Sequence, residues 1–339
     1  MGILNLSTKT QALKLVIATL TITNLLAANT NAYADETPTA VENAGAVPSE
    51  AAKAAENSEP EPPWDLSFTL NFVSDYRARG ISQTWLAPAV QGSIDLTHES
   101  GFYSGVWASN VSDETTAGAH EEIDVYVGFG NDIKSVEGLS YTTGLYGYFY
   151  PSGNYSKFDA LTTVDGNKRR ETYDTFELMG GLTYKWLTAK AWVTLTDYFG
   201  QNRKTGWTRG TKGSTYYELS ANVPLPFWGL DLVAGVGRTH VPGKVSSDPA
   251  FLLPNSDFDG NLVKEKTLDY TDYKLGISKT FEVKKAATFT TSLTYIGATN
   301  SDADDFWGKN GYGGGSVIPN SKPKNIGQQT LVLNVGITF

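Results

Sequence analysis

The chain contains no cysteine. That excludes a disulfide framework and any thiolate-held metal. Methionine occurs twice and histidine three times, at His98, His120 and His240. No G-x-S-x-G elbow accompanies them, so the sequence sets out no hydrolase nucleophile and no catalytic residue is assigned. No segment reaches the roughly 20 apolar residues of a helical span, so any crossing of a bilayer by the mature chain has to use strands. Basic side chains number 27 against 36 acidic ones, net −9. That balance does not suggest nucleic-acid binding. Tyrosine (18), phenylalanine (15), tryptophan (8) and glycine (34) are plentiful, while apolar residues make up only 40%. A helical membrane protein would need more; a barrel with a polar interior would not.

Lys9 and Lys14 precede the apolar run LVIATLTITNLLAA (15–28), and Ala32-Tyr33-Ala34 follows it. A positive flank, a short apolar core and a small-x-small site predict a signal peptide over 1–34. Thr19, Thr21, Thr23 and Asn24 interrupt the run and argue against an anchoring helix. Without 1–34 the chain keeps 25 basic and 36 acidic side chains, net −11. Residues 35–63 hold seven acids, five prolines, one lysine and no aromatic. Such a stretch cannot bury enough apolar surface to offset its chain entropy, and reads as a flexible acidic linker.

From Trp64 onward, period-two runs alternate with clusters of Gly, Asn, Asp and Pro, the signature of strands and turns. The run WDLSFTLNFVSDYRARG (64–80) puts Leu66, Phe68, Leu70 and Phe72 on one face and Ser67, Thr69, Asn71, Asp75 and Arg77 on the other. At the far end, LVLNVGITF (331–339) repeats the pattern, with Leu331, Leu333, Val335, Ile337 and Phe339 on one face. Twelve such runs can be counted. Their connections alternate between tight (HESGF, KWLTAK, PLPFWG, EVKKA) and long (151–170, 200–213, 241–267, 300–325). Connection 131–137 fits least well, being no shorter than 113–119 on the other side. Even strand number and alternating connection length predict an all-β fold, a transmembrane antiparallel up-and-down barrel over 64–339 with both termini periplasmic. Trp64, Phe102, Tyr103, Trp186, Phe227, Trp228, Phe281 and Phe339 gather at the tight-turn end, where an interfacial girdle is expected.

Two stretches carry a resemblance. In SDYRARGISQTWLAPAVQG (74–92) and ESGFYSGVWASNVS (99–112) stand Ser74, Asp75, Tyr76, Arg79, Gly80, Ser82, Gln83, Pro88, Ala89, Gln91 and Gly92, then Gly101, Phe102, Tyr103, Gly105, Trp107, Ser109 and Asn110. This ordered series resembles the opening of the TorF-type porins, a proteobacterial outer-membrane family. It covers the first three runs only. The resemblance implies an outer-membrane barrel with a pore and no particular substrate; the function expected of the chain is passive diffusion of small hydrophilic solutes, without cofactor or metal. Its partners would be outer-membrane lipid, lipopolysaccharide and small polar solutes. Phe339 would be read by the barrel-assembly machinery, as terminal aromatics of outer-membrane proteins are in general.

Strand phase then nominates the pore lining: Asp75, Arg77, Arg79, Asp95, Asp124, Glu177, Lys185, Glu218, Asp231 and Lys274, with Glu122 and Asp272 on the same faces. Charge on the lipid face near the midplane would cost about 2–4 kcal/mol, so these side chains are expected inside. There they either set a transverse field for solutes or pair with one another as struts. Asp75, Arg77 and Arg79 are expected as an inward ladder on the first strand. Two other functions remain open: a plugged receptor or adhesin that works through its loops, with basic segments 163–171 and 200–213, and an outer-membrane enzyme. The acidic run SDADD (301–305) lacks the glycine and terminal glutamate of a calcium loop.

Overall fold

Alternation of apolar and polar residues dictates strands with one greasy face, and such strands must either pack on a second layer or close on themselves. The computed structural model, which describes residues 63–157, 170–244, 267–283, 287–299 and 324–339, shows closure. The strands are β1 (Trp64–Val73), β2 (Arg77–Ala78), β3 (Ile81–Ser82), β4 (Ala89–His98), β5 (Phe102–Asn110), β6 (Glu121–Asp132) and β7 (Leu139–Phe149). They continue with β8 (Thr175–Tyr184), β9 (Leu187–Thr194), β10 (Thr215–Pro224), β11 (Asp231–His240), β12 (Tyr270–Val283), β13 (Ala287–Thr299) and β14 (Thr330–Thr338). Twelve of them form one closed antiparallel barrel in the order β1-β14-β13-β12-β11-β10-β9-β8-β7-β6-β5-β4. The remaining pair, β2 and β3, makes a separate two-stranded hairpin.

Closure is made where the last strand meets the first. Leu70 pairs with Ile337 and Phe72 with Val335. Phe68 and Phe339 exchange backbone hydrogen bonds of 3.1 and 2.9 Å. No barrel edge is left open to another chain.

Leu66, Phe68, Leu70, Phe72, Val90, Ile94, Val125, Val127, Leu178, Leu219, Leu275, Leu293 and Leu333 all lie exposed on the outside. In water such a continuous apolar belt would be untenable; in lipid it is required. Strands of about ten residues tilted near 40° rise roughly 25 Å, the height of a hydrocarbon slab. Trp64, Trp186, Phe227, Trp228, Phe281 and Phe339 are exposed at the short-turn end, as an interfacial girdle needs. Tyr103 departs from that expectation. It is fully buried and faces the interior, where its hydroxyl lies 3.0 Å from that of Tyr146. The β6–β7 connection, ambiguous by length, is a tight turn closed by Ile133 N–H to Leu139 O (2.8 Å).

Expectations for the leader and most of the linker, and for loop segments 158–169, 245–266 and 300–323, fall outside the described residues.

Candidate functional site in the lumen

The first strand is shorter than its pattern. β1 ends at Val73, whose cross-strand partner is Ala89, and residues 74–88 leave the wall between them. Asp75, Arg77 and Arg79 are therefore no ladder along the barrel wall. They belong to a hairpin folded inward. Alternation carries on past Val73, but the outward row after Phe72 becomes Ser74, Tyr76, Ala78 and Gly80, which offers lipid nothing. The turn chemistry of Arg79-Gly80 wins instead. Both residues take left-handed backbone (φ 49° and 80°), as a primed two-residue hairpin turn demands.

The hairpin is braced on itself and on the walls. Asp75 accepts from Arg77 Nε (2.7 Å), Ser82 Oγ (2.6 Å) and Thr84 Oγ1 (3.2 Å). Arg77 has no exposed surface and donates to Gly80 O (2.9 Å) and Gln328 O (2.8 Å). Arg79 reaches Glu177 on β8 at 2.6 Å. Its guanidinium also lies over the rings of Tyr216 (4.5 Å), Tyr198 (5.9 Å) and Trp192 (6.0 Å). At Gly80 an added Cβ would stand 2.7 Å from Asp272 Cβ and 3.0 Å from Gly297 O, so the turn presses on the β12–β13 wall. Gln83 is tied to the next connection: its carbonyl accepts from Ser112 N (2.9 Å) and Thr115 Oγ1 (2.7 Å). Tyr76 meets Trp107 edge-on at 5.4 Å. Asn110 clamps the hairpin's exit, accepting from Val90 N at 2.8 Å and donating to Pro88 O at 3.4 Å. Ser74 keeps the entry paired with Leu333 through its N–H and Oγ. Motif residues scattered over three runs of sequence thus specify one inserted element and its seat.

The other nominated residues are placed as follows. Asp95, Glu122, Asp124, Glu177, Glu218 and Asp272 are buried on the inner wall. Four of them accept a tyrosine hydroxyl: Asp95 from Tyr126, Glu122 from Tyr150 (2.7 Å), Glu177 from Tyr148 (3.1 Å) and Asp272 from Tyr216 (3.1 Å). Glu218 pairs with Lys274 at 3.3 Å. Gln91 donates to Ser109 Oγ (3.3 Å), and Gly92 is on the outward row. Asp231 opens β11 at the short-turn rim, partly exposed. Lys185 is a correction. Its phase suits the lumen only if β8 continues, but the strand stops at Tyr184. Lys185 takes left-handed turn backbone (φ 55°), exposed, with its ammonium 5.3 Å from the Tyr184 ring. His98 ends β4 beside a short turn, against Ser100 (2.8 Å), and His240 ends β11 against Asp269 (2.7 Å) at the opposite end. They share no site.

Sequence reasoning passed over the aromatic filling. Tyr146, Tyr148, Trp192, Tyr216 and Tyr270 sit on inward phases and are buried. β9 leaves the wall at Thr194, sooner than its pattern suggests; Phe199 then packs against Tyr148, and Tyr198 joins Trp207, Val241 and Leu268 in an adjoining cluster that Phe199 also touches. The legible signal was aromatics standing on the polar face of their strands. Between the hairpin and this wall is a cavity with about 930 Å³ of space between atoms, its open mouth included. Towards the short-turn end many inward positions are small or polar, Gly105, Gly128, Gly181, Ser220, Gly235, Gly276, Ser292, Asn334 and Gly336 among them, but Tyr103 and Val233 are buried there too and the Tyr103 ring covers Gly128 and Gly144.

A closed barrel with a lipid-facing belt and a lumen narrowed by its own first connection defines a membrane-spanning β-barrel with an internal constriction. The chain belongs to the Gcw_chp family, described as a bacterial protein of unknown function, whose model matches residues 57–339. No curated protein matches the sequence. Among solved structures, the fold is similar to the NanC porin (7% identity, 81% of this chain and 99% of that one, TM-score 0.40). It is also similar to the COG4313 outer membrane channel from Pseudomonas putida F1 (12%, 83% and 99%, TM-score 0.38) and to LpxR from Salmonella typhimurium (10%, 80% and 99%, TM-score 0.30). At such scores the likeness carries no argument about what this chain does.

Proposed function

We propose that the protein is an outer-membrane channel of the TorF-type porin kind, passing small hydrophilic solutes by passive diffusion and performing no catalysis. One observation carries this reading: a hairpin, residues 74–88, held inside a closed barrel, narrows the lumen without filling it and leaves an open-mouthed cavity beside it. Strand spacing near 4.8 Å and a tilt near 40° give twelve strands a backbone radius of roughly 12 Å. A lumen of that size without an insert would discriminate little; the hairpin makes it a sieve for small solutes. The reading puts both termini in the periplasm and the long connections outside, facing lipopolysaccharide. It also has Phe339, outward at the short-turn rim, read by the assembly machinery.

Liposome swelling tests the proposal. Proteoliposomes should swell in glycerol and glucose and resist a trisaccharide. Absence of swelling in every solute, from protein shown to be folded, would refute it.

A second reading, a plugged receptor working through its loops, draws support from the same hairpin and from the aromatic filling at the long-loop end. It predicts no flux of any solute through the intact barrel.

A further inference from the structure

The inner wall treats its carboxylates consistently, with one exception. Asp95, Glu122, Glu177 and Asp272 each accept a tyrosine hydroxyl, and Glu218 has Lys274. Asp124, only 2% exposed, has its Oδ1 buried without a hydrogen-bond partner and pairs with no cation among the described residues. Two residues away on the same inward row, about 6.6–6.8 Å along the strand, Glu122 gives one oxygen to Tyr150 and keeps Oε2 without a hydrogen-bond partner, as Glu218 and Asp272 each also keep one oxygen. Both side chains line the cavity beside the hairpin. Leaving a buried carboxylate unpaired is costly, and a cation reaching it would offset that cost.

The rest of the lining says what kind of cation. Among its side chains the charged ones are Arg79, Glu122 and Asp124. Arg79 is already neutralised by Glu177, which lies outside the lining, so the balance left in the cavity is negative. The walls are aromatic: Tyr148, Tyr150, Tyr155, Tyr173, Trp192 and Tyr198 all contribute. Aromatic faces attract cations, and carbon-bearing cations gain apolar contact as well. Arg79 shows that this wall receives such a group, since its guanidinium already lies over two of these rings, Trp192 and Tyr198. Among the described residues there is no cluster of three or more side chains suited to a metal ion.

We propose that the cavity binds an organic cation, an ammonium group carrying methyl or methylene carbons, with Asp124 as its counter-charge, Glu122 beside it and the tyrosine and tryptophan faces as its walls. The proposal rests on reading the lumen as a solute path and names the class of solute that path favours.

Binding is measured apart from transport. Purified wild-type barrel at pH 8 is titrated calorimetrically with choline and with its uncharged isostere, 3,3-dimethylbutan-1-ol. Choline should bind at least about tenfold more tightly than the isostere. Asp124→Asn should weaken choline by about tenfold or more, while Asp132→Asn, on the same strand at the short-turn end, should leave it unchanged. Equal affinity for choline and isostere, or full choline affinity in Asp124→Asn, overturns the proposal. If Asp124→Asn does not fold, the wild-type comparison decides alone. Choline binding by a barrel that conducts nothing would uphold the cation site and sink the channel. Solute flux with no preference for choline over the isostere would do the reverse.

Discussion

Arg79 and Arg77 each face a carboxylate inside the barrel, and each is also held by backbone or by rings. That arrangement makes them struts rather than free charges in a pore. Removing one partner of a buried pair strands the other, which costs about 3–5 kcal/mol. Arg79→Ala should therefore lower the unfolding midpoint of the refolded barrel clearly, while Arg79→Lys, which keeps the charge near Glu177 but loses the planar fork, should recover part of the loss. Denaturant titration by tryptophan fluorescence reads both. The double variant Arg77→Ala with Arg79→Ala should lose stability with little change in cation-to-anion selectivity. A large selectivity shift at unchanged stability would show that the arginines act on solutes. Gly80 matters for contact as well as for φ. In Gly80→Ala the new methyl meets Asp272 and the Gly297 carbonyl, so the hairpin has to lift from the wall. Faster proteolysis within 74–88 than in the wild type is the expected sign.

Among the elements, the twelve spanning strands were legible because lipid on one side and a polar interior on the other enforce a strict period of two. Leu293, outward in the middle of β13, illustrates the force of that rule. Leu293→Arg should cost about 2–4 kcal/mol in refolding into bilayers, and the inward neighbour Ser292→Arg should not cost the same lipid penalty. Folding titrations into lipid vesicles separate the two. What was not legible is where β1 and β9 stop. Residues 74–79 keep the alternation, and so do residues after Thr194, yet both segments turn inward. Alternation reports which face a side chain takes, not whether the backbone still has a neighbour to pair with. The lost outward apolar row after Phe72 and the Arg79-Gly80 turn were the available clues. Lys185 failed for the same reason at the other end of the barrel, where phase was extended one residue beyond Tyr184 into a left-handed turn.

At the scale of the whole molecule, a closed wall and an internal hairpin are separable. Val73 and Ala89 are already cross-strand partners, so residues 74–88 can be replaced by an Asn-Gly turn without disturbing the ladder between β1 and β4. The inner carboxylates on phase could be nominated from sequence because the barrel fixes which face they take. Their tyrosine partners come from neighbouring strands whose register the sequence does not display, and the Arg79–Glu177 pair spans 98 positions of chain. The central claim is that this hairpin constricts the lumen. Single-channel recording of the wild type against the Asn-Gly replacement tests it most directly. A small wild-type conductance that rises several-fold in the replacement is the predicted result. Equal conductance in the two folded proteins, or none in either, would contradict it.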